Sequence, residues 1–229
     1  MNGKRIPRVI ESEEGVGGTV MLKHKGADGG QGFELVVGGH YAMAATDGET
    51  ERILAREAVR IAPKGAGFTA LVGGLGLGQT LSEILKEVGI SEVWVSEIEE
   101  AVIRWNRTHL RSYNGGALFD RRVKIHHGDV MGLMEKKKRF FDLILMDVDN
   151  GPSFLILEGN GCLYTASGMK KVKRALKPGG VFALWSHRPD GEIEGVLDEV
   201  FGGFNIKQID DPSVREDLPP TAIYTALRG

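Results

Sequence analysis

The stretch "TALVGGLGLGQT", residues 69–80, decides the fold of this chain. An apolar, strand-like run passes into four glycines within six residues, and a helix-like segment follows. The stretch is close to the triphosphate-binding loop G-x-x-x-x-G-K-[ST], but Gln79 stands where that loop has its lysine. Glycines at a strand end let the backbone turn tightly and approach a ligand, while the next helix offers free N–H groups. The turn therefore predicts a ligand without a triphosphate.

Strand-like and helix-like segments alternate from residue 67 onward. Helices between apolar strands indicate βαβ units and a parallel sheet wrapped by helices. We therefore predict an α/β fold with a Rossmann-like, doubly wound, mainly parallel sheet and an antiparallel C-terminal strand. Residues 1–46 carry short extended runs typical of β-structure, and residues 47–63 have helical spacing. We expect two units, a β-hairpin region with a linking helix at 1–62 and a Rossmann-like domain at 63–229.

Composition and charge narrow the class of partner. The formal net charge of −2 gives no electrostatic preference for nucleic acid or an anionic membrane, so we expect a small-molecule partner. The N-terminal residues carry no apolar signal segment, and no apolar run is long enough to span a membrane. Cys162 is the single cysteine, which rules out an intramolecular disulfide and fits a cytoplasmic location.

In a doubly wound sheet, ligands bind beyond the carboxyl ends of the strands. The second predicted strand ends at Glu97, 19 residues after Gly78. An acid at that place and distance accepts hydrogen bonds from ribose hydroxyls. The alternative is a carboxylate in the first turn of the next helix, where the helix dipole favours it. That alternative suits Glu99 and Glu100 better, so we assign Glu97 to a ribose.

Acids also end the third and fourth predicted strands. Asp129 could accept a hydrogen bond from an adenine amine, or it could cap the following helix. Asp147 and Asp149 share one face of an extended segment, where burial and like charge would raise one pKa and suit a general base. Turn formation is a second role for the same segment. His126 and His127 would face opposite sides of a strand, so we predict no metal site.

The glycine spacing separates two classes of nucleoside-binding protein. Nicotinamide-dependent oxidoreductases usually carry G-x-G-x-x-G, whereas Gly74, Gly76 and Gly78 give G-x-G-x-G. Without a lysine at Gln79, a nucleoside thioether or sulfonium fits better than a triphosphate. Five motifs then resemble the spermidine-synthase-like branch of class I S-adenosylmethionine-dependent transferases, from about residue 33 to 227, and in particular a compact bacterial subgroup. They are "LVGGLGLGQTLSEIL", "VWVSEIEEAVIRWNR", "HHGDV", "FDLILMDVDNGP" and "LYTASGMKKVKRALKPGGVFALWS".

The resemblance implies roles for particular residues. The ribose would bind Glu97, the adenine would bind Asp129 and Val130, and the donor tail would lie on the glycine turn. Residues 149–163 would form a lid over the acceptor. The implied donor-binding set is Gly73, Gly74, Gly76, Gly78, Gln79, Glu97, Ile98, Asp129 and Val130. The implied acceptor side has Asp147 or Asp149 as base and Tyr164 near the end of the lid, and Asn150 is a further candidate contact. Trp185 ends the fifth predicted strand next to the site, where it either touches the acceptor or only packs the sheet edge.

One departure from the family pattern decides between two reactions. Aminopropyltransferases of this branch read GGGDGG, and their aspartate holds the amino end of a decarboxylated donor, whereas this chain has Gly76 there. We therefore expect methyl transfer from S-adenosylmethionine to a small nucleophile, such as an amine. The alternatives are aminopropyl transfer from decarboxylated S-adenosylmethionine to a diamine, and a non-catalytic nucleoside-binding protein. The exposed edge of the N-terminal hairpin favours a homodimer that covers it.

Overall fold

The N-terminal region forms a sheet of four antiparallel strands arranged in sequence order. A computed structural model describes residues 7–24, 32–45, 48–210 and 219–229. The four strands are β1 (Arg8–Gly15), β2 (Gly18–His24), β3 (Phe33–Val37) and β4 (His40–Ala45). The β2–β3 pairing confirms the predicted hairpin, and its predicted turn at 27–31 lies outside the described residues. The sequence had not singled out β1 as a strand.

A seven-stranded sheet lies at the centre of the second region of the chain. Its strands are β5 (Phe68–Gly73), β6 (Ile90–Glu97), β7 (Val123–His127), β8 (Phe141–Met146), β9 (Leu176–Ser186), β10 (Asn205–Ile209) and β11 (Thr221–Leu227). The order is β10-β11-β9-β8-β5-β6-β7. Strands β5 to β9 run parallel, while β11 is antiparallel to both of its neighbours. The predicted Rossmann-like sheet with an antiparallel C-terminal strand is therefore confirmed.

Within the part of the chain that the structure describes, six α-helices connect and cover the sheets. They are α1 (Glu49–Ile61), α2 (Gln79–Ile84), α3 (Glu100–Arg107), α4 (Val130–Lys136), α5 (Ala166–Ala175) and α6 (Gly191–Phe201). In β5, Val72 belongs to a core cluster shared with α1, α2 and α3, whereas Leu71 belongs to the cluster shared with α4, α5 and α6. A strand that is apolar on both faces is typical of a sheet covered on both sides. Val20 and Leu35 of the N-terminal sheet join the first cluster.

Two predicted boundaries differ from the structure. The helical spacing of apolar residues through Val88 predicts a helix that ends at Gly89, but α2 ends at Ile84, and Val88 is 96% exposed instead of facing the core. The chain there closes tighter turns, in which the Lys86 amide donates to Glu83 and the Glu87 amide to Ile84, and these turns rotate Val88 outward. The run "ASGMKKVKRALKPGG", residues 166–180, predicts a single helix, but α5 ends at Ala175 and residues 176–180 begin β9. Among the described residues, no helix has the length and apolar character needed to cross a membrane.

Candidate functional site

A pocket lies at the carboxyl edge of the seven-stranded sheet, where such folds bind ligands. The floor of the pocket comes from the turns after β5, β6, β7 and β8, and its roof from β3 and the loop after β8. Eight of the residues predicted to bind donor or acceptor line it: Gly74, Gly76, Glu97, Ile98, Asp129, Val130, Asp147 and Asp149. The roof residues are Leu35, Val37, Ile156, Leu157 and Asn160. Residues from both sheets therefore line the pocket.

Other predicted residues lie beside the pocket rather than in its lining. The Oε1 atom of Gln79 accepts a hydrogen bond from Nη2 of Arg52 at 2.6 Å, in a separate groove. The carbonyl of Asn150 accepts a bond from the His187 amide, and the ring of Trp185 packs against the first core cluster. Tyr164 does not line the pocket, but its hydroxyl donates to Asp149, which does. Gly73 ends β5 and Gly78 immediately precedes α2, and neither residue lines the pocket.

The glycine turn fits tightly against the end of β8. Gly74 has φ 84°, and a Cβ atom there would lie 2.2 Å from the carbonyl oxygen of Asp147. The Asp147 amide donates to the Gly73 carbonyl at 2.8 Å. Only glycine allows this backbone conformation together with so close an approach. The turn therefore sets the position of Asp147.

Glu97 is buried and is held by two backbone amides. Its Oε1 accepts a hydrogen bond from the Glu99 amide, and its Oε2 accepts one from the Leu75 amide, both at 2.9 Å. Burial raises the pKa of Glu97, and the backbone donors oppose that shift. Each carboxylate oxygen retains acceptor capacity for a ligand hydroxyl. The arrangement leaves Glu97 rigid and able to accept from a ligand.

Asp129 caps a helix at the edge of the same pocket. Its side chain accepts hydrogen bonds from the amides of Met131 and Gly132, both at 3.0 Å. The capping role anticipated as the alternative is therefore present, and the residue also lines the pocket. His126 contacts Ser96 Oγ through Nδ1, whereas His127 lies against the Ile98 carbonyl. In the described part of the chain, no group of three metal-ligating side chains occurs.

Asp147 and Asp149 have different surroundings. Asp149 accepts three hydrogen bonds from its own loop: Oδ1 accepts from the Ile156 amide at 2.7 Å and Asn160 Nδ2 at 3.0 Å, and Oδ2 from the Tyr164 hydroxyl at 3.0 Å. The Oδ2 atom of Asp147 accepts one bond, from Thr80 Oγ1 at 3.0 Å. Asp149 thus anchors the loop, while Asp147 is the less occupied carboxylate facing the pocket.

The electrostatics of Asp147 also set it apart. Burial is the main cause that raises its pKa to about 7, and the negative charge of Glu51 adds to the effect. The Thr80 hydroxyl bond opposes the shift. A carboxyl with a pKa near neutrality can accept a proton during a reaction and release it again afterwards. Sequence reasoning missed Glu51 and Thr80, because no local pattern links α1 and α2 to the end of β8.

The pocket lining is strongly acidic. Five carboxylate side chains line it, and none of its lining residues within the described chain is a lysine, arginine or histidine. The five are Glu97, Glu99, Asp129, Asp147 and Asp149. Clefts lined by one sign of charge concentrate ligands of the opposite sign. A cationic ligand without a carboxylate is therefore favoured.

The fold and the pocket define a class, the Rossmann-like α/β proteins whose ligand site lies at the carboxyl edge of a doubly wound sheet. Residues 28–198 match the family described as "Spermine/spermidine synthase domain". The match covers well over half of the chain, and the chain therefore belongs to the spermine/spermidine synthase family.

Two curated relatives are named polyamine aminopropyltransferase. The relative from Prochlorococcus marinus (strain AS9601) is 33% identical over 121 residues, which are 52% of this chain and 41% of the relative. The relative from Nitrosomonas europaea is 34% identical over 122 residues, 52% of this chain and 35% of the relative. The matched part therefore spans less than half the length of these curated relatives. Their names specify aminopropyl transfer and do not support the methyl transfer that Gly76 favoured.

Solved structures of spermidine synthases share the fold. Spermidine synthase in complex with the transition-state analogue AdoDATO matches with a TM-score of 0.80 and 22% identity, over 97% of this chain and 74% of that chain. Spermidine synthase from Thermotoga maritima matches with a TM-score of 0.79 and 20% identity, over 97% and 73% of the two chains. At these identities the likeness shows the fold alone.

Proposed function

We propose that this chain transfers an aminopropyl group from decarboxylated S-adenosylmethionine to a small amine acceptor. The observation that carries the proposal is the charge of the pocket, which is lined by five carboxylates and, among its described lining residues, by no basic side chain. S-adenosylmethionine carries a carboxylate that such a lining would repel. The decarboxylated donor keeps only positive charges, on the sulfonium and the amine. Family membership supports the same reaction.

The donor nucleoside would lie along the edge of β6 and β7. We assign the ribose hydroxyls to Glu97 and the adenine to Ile98, Asp129 and Val130. The donor tail would extend along Gly74 and Gly76 toward the end of β8. Both units expected from the sequence would then contribute, since residues 63–229 hold the donor and the N-terminal sheet closes the roof.

Group transfer would proceed as an in-line displacement at the carbon attached to sulfur. The acceptor nitrogen forms the new C–N bond, the C–S bond breaks, and its electron pair stays on sulfur to give methylthioadenosine. The protein's contribution is alignment of the two substrates and exclusion of water. Asp147 is assigned as the proton acceptor, because its pKa of about 7 suits a base and it faces the pocket. Asp149 is assigned as the anchor of the loop that closes the site.

A donor-choice experiment tests the proposal. Purified chain is incubated with isotopically labelled S-adenosylmethionine or its decarboxylated form, each with putrescine, and mass spectrometry follows the transferred group. We expect aminopropyl product only from the decarboxylated donor, and a loss of about 10²- to 10⁴-fold in turnover for Asp147→Asn. Asp198→Asn, at an exposed acid on α6, is the matched control and should keep full turnover. A methylated product from S-adenosylmethionine would refute the proposal.

A further inference from the structure

One buried side chain attaches the β1–β2 turn to the start of α3. Glu99 accepts two hydrogen bonds from this turn, from the Val16 amide at 2.9 Å through Oε2 and from the Gly17 amide at 2.7 Å through Oε1. Glu99 is only 3% exposed. It occupies the N-cap position of α3, yet its side chain makes no capping bond. Both carboxylate oxygens therefore serve the distant turn rather than the helix that Glu99 begins.

Glu99 also touches the floor and the roof of the pocket. Its backbone amide donates to Oε1 of Glu97, the residue assigned to the ribose. The turn that it holds lies against the roof, since a Cβ atom at Gly17 would lie 2.6 Å from Cγ1 of Val37 and 2.7 Å from Cδ2 of Leu157. Glu99, Val37 and Leu157 all line the pocket. Glu99 therefore connects the β1–β2 turn and the roof of the pocket with Glu97, the residue assigned to the ribose.

We propose that Glu99 is a positioning residue, which holds the Val16–Gly17 turn against the pocket roof and thereby sets the affinity for the donor nucleoside. The inference rests on the proposed function for the identity of that nucleoside. A carboxylate can accept from two adjacent amides at once, and such bonds to a charged acceptor are stronger than neutral ones. Without the hydrogen bonds from Glu99, the turn would no longer hold Val37 and Leu157 in place before the ligand binds. The ligand would then have to fix their positions itself, and the entropy lost in doing so would lower its affinity.

A second attachment of the same hairpin supplies the control. Arg104 Nη2 lies 2.7 Å from Glu11 and 2.6 Å from Glu13 of β1. These side chains are 35–43% exposed, and exposed ion pairs contribute little to stability. Arg104 does not line the pocket. Arg104→Gln therefore weakens the contact between hairpin and α3 without altering the pocket itself.

Binding of methylthioadenosine to the full chain, measured by calorimetry, tests the proposal. We expect Glu99→Gln to weaken binding about five- to tenfold, because an amide group would face one of the two N–H donors. Arg104→Gln should bind within about twofold of wild type. With decarboxylated donor, Glu99→Gln should raise KM in proportion and leave kcat little changed, and exchange of the Val16 and Gly17 amide hydrogens should accelerate. Unchanged binding by Glu99→Gln, or equal weakening by Arg104→Gln, would overturn the inference.

A second variant guards against a folding defect in the first. Gly17→Ala retains Glu99 but places a methyl group against Val37 and Leu157, so it too should weaken nucleoside binding. If Glu99→Gln does not melt cooperatively, normal binding by Gly17→Ala would refute the proposal. A wild-type chain that binds methylthioadenosine but transfers no aminopropyl group would refute the proposed function alone. A wild-type chain that fails to bind the nucleoside would overturn this inference.

Discussion

Asp147 and Asp149 are two residues apart, yet their hydrogen bonds assign them different roles. Three donors from the loop after β8 occupy the carboxylate of Asp149. Asp147 has one hydroxyl donor and shares its surroundings with the carboxylate of Glu51. A base must combine access to the substrate with a suitable pKa, and the position of Asp147 in the pocket lining and its pKa of about 7 both support the role that we propose for it. In the proposed function, the "DVDNGP" segment would therefore supply Asp147 for proton transfer and Asp149 to anchor the loop.

The raised pKa of Asp147 predicts a specific pH dependence. The base must be ionised to accept a proton, so kcat/KM should fall as the pH drops below about 7. Glu51→Gln removes a negative charge that raises this pKa, so the acidic limb of the profile should move to lower pH. Profiles of both proteins between pH 5 and 9, roughly the range in which such a group titrates, provide the measurement. An identical acidic limb in Glu51→Gln would argue against Asp147 as the base.

At the scale of elements, the turn between β5 and α2 contacts the ends of the two neighbouring strands. Gly74 donates its amide to Ser96 of β6 and approaches the carbonyl of Asp147 after β8. Three strand ends are therefore brought together by one glycine conformation. The loop after β8 forms the opposite side of the site, and its 3₁₀ turn (Glu158–Tyr164) brings Asn160 and Tyr164 back to Asp149.

A pair of alanine substitutions separates backbone strain from close contact in this turn. Gly74→Ala should lower the free energy of unfolding by more than about 2 kcal/mol, because a positive φ and a clash with backbone combine. Gly179→Ala, at φ 75° with no atom within 4 Å of the added Cβ, should cost only about 1 kcal/mol, for strain alone. Urea unfolding measures both values. If both variants lost the same free energy of unfolding, the close approach of Gly74 to Asp147 would make no contribution to stability.

At the scale of the whole molecule, the N-terminal sheet is part of the site rather than an appendage. Val20 and Leu35 share a core cluster with α1, α2 and α3, and Leu35 also lines the pocket. A ligand in the pocket would therefore contact both sheets. The division at residue 62, the homodimer and the cytoplasmic location stay predictions.

This arrangement predicts that a nucleoside stabilises both sheets together. At 100 times its Kd, methylthioadenosine should add about 2.7 kcal/mol to the free energy of unfolding, by mass action. For a chain of this size, that corresponds to a rise in Tm of roughly 5–10 °C. Thermal melts give the size of the effect, and hydrogen exchange gives its location, with slower exchange expected in β3 as well as β6. Protection confined to β6 would place the ligand away from the roof.

Much of the fold and of the pocket floor is predictable from local sequence. Strands alternating with amphipathic helices, and the apolar run of β8, determine a doubly wound sheet, because each segment must bury its apolar face. The glycine turn and the acids Glu97, Asp129 and Asp147 lie at strand ends, and parallel strands bring those ends to one edge. The prediction that α2 extends to Gly89 was wrong. One turn of tighter helix after Ile84 changes the direction in which Val88 points, so that it faces solvent.

The sequence by itself determined which residues stand at the carboxyl edge of the sheet, because that placement depends only on the alternation of strands and helices. The tertiary structure alone decided what each side chain does there. In the folded chain, Gln79 accepts a hydrogen bond from Arg52, and the carboxylate of Asp149 accepts one from Asn160 of its own loop. The carboxylate of Glu99 accepts a hydrogen bond from the amide of Val16, which lies 83 positions away in the sequence. Contacts between residues so far apart in the sequence depend on how whole helices and strands pack. They produce no periodic pattern or fixed residue spacing from which the sequence alone could predict them.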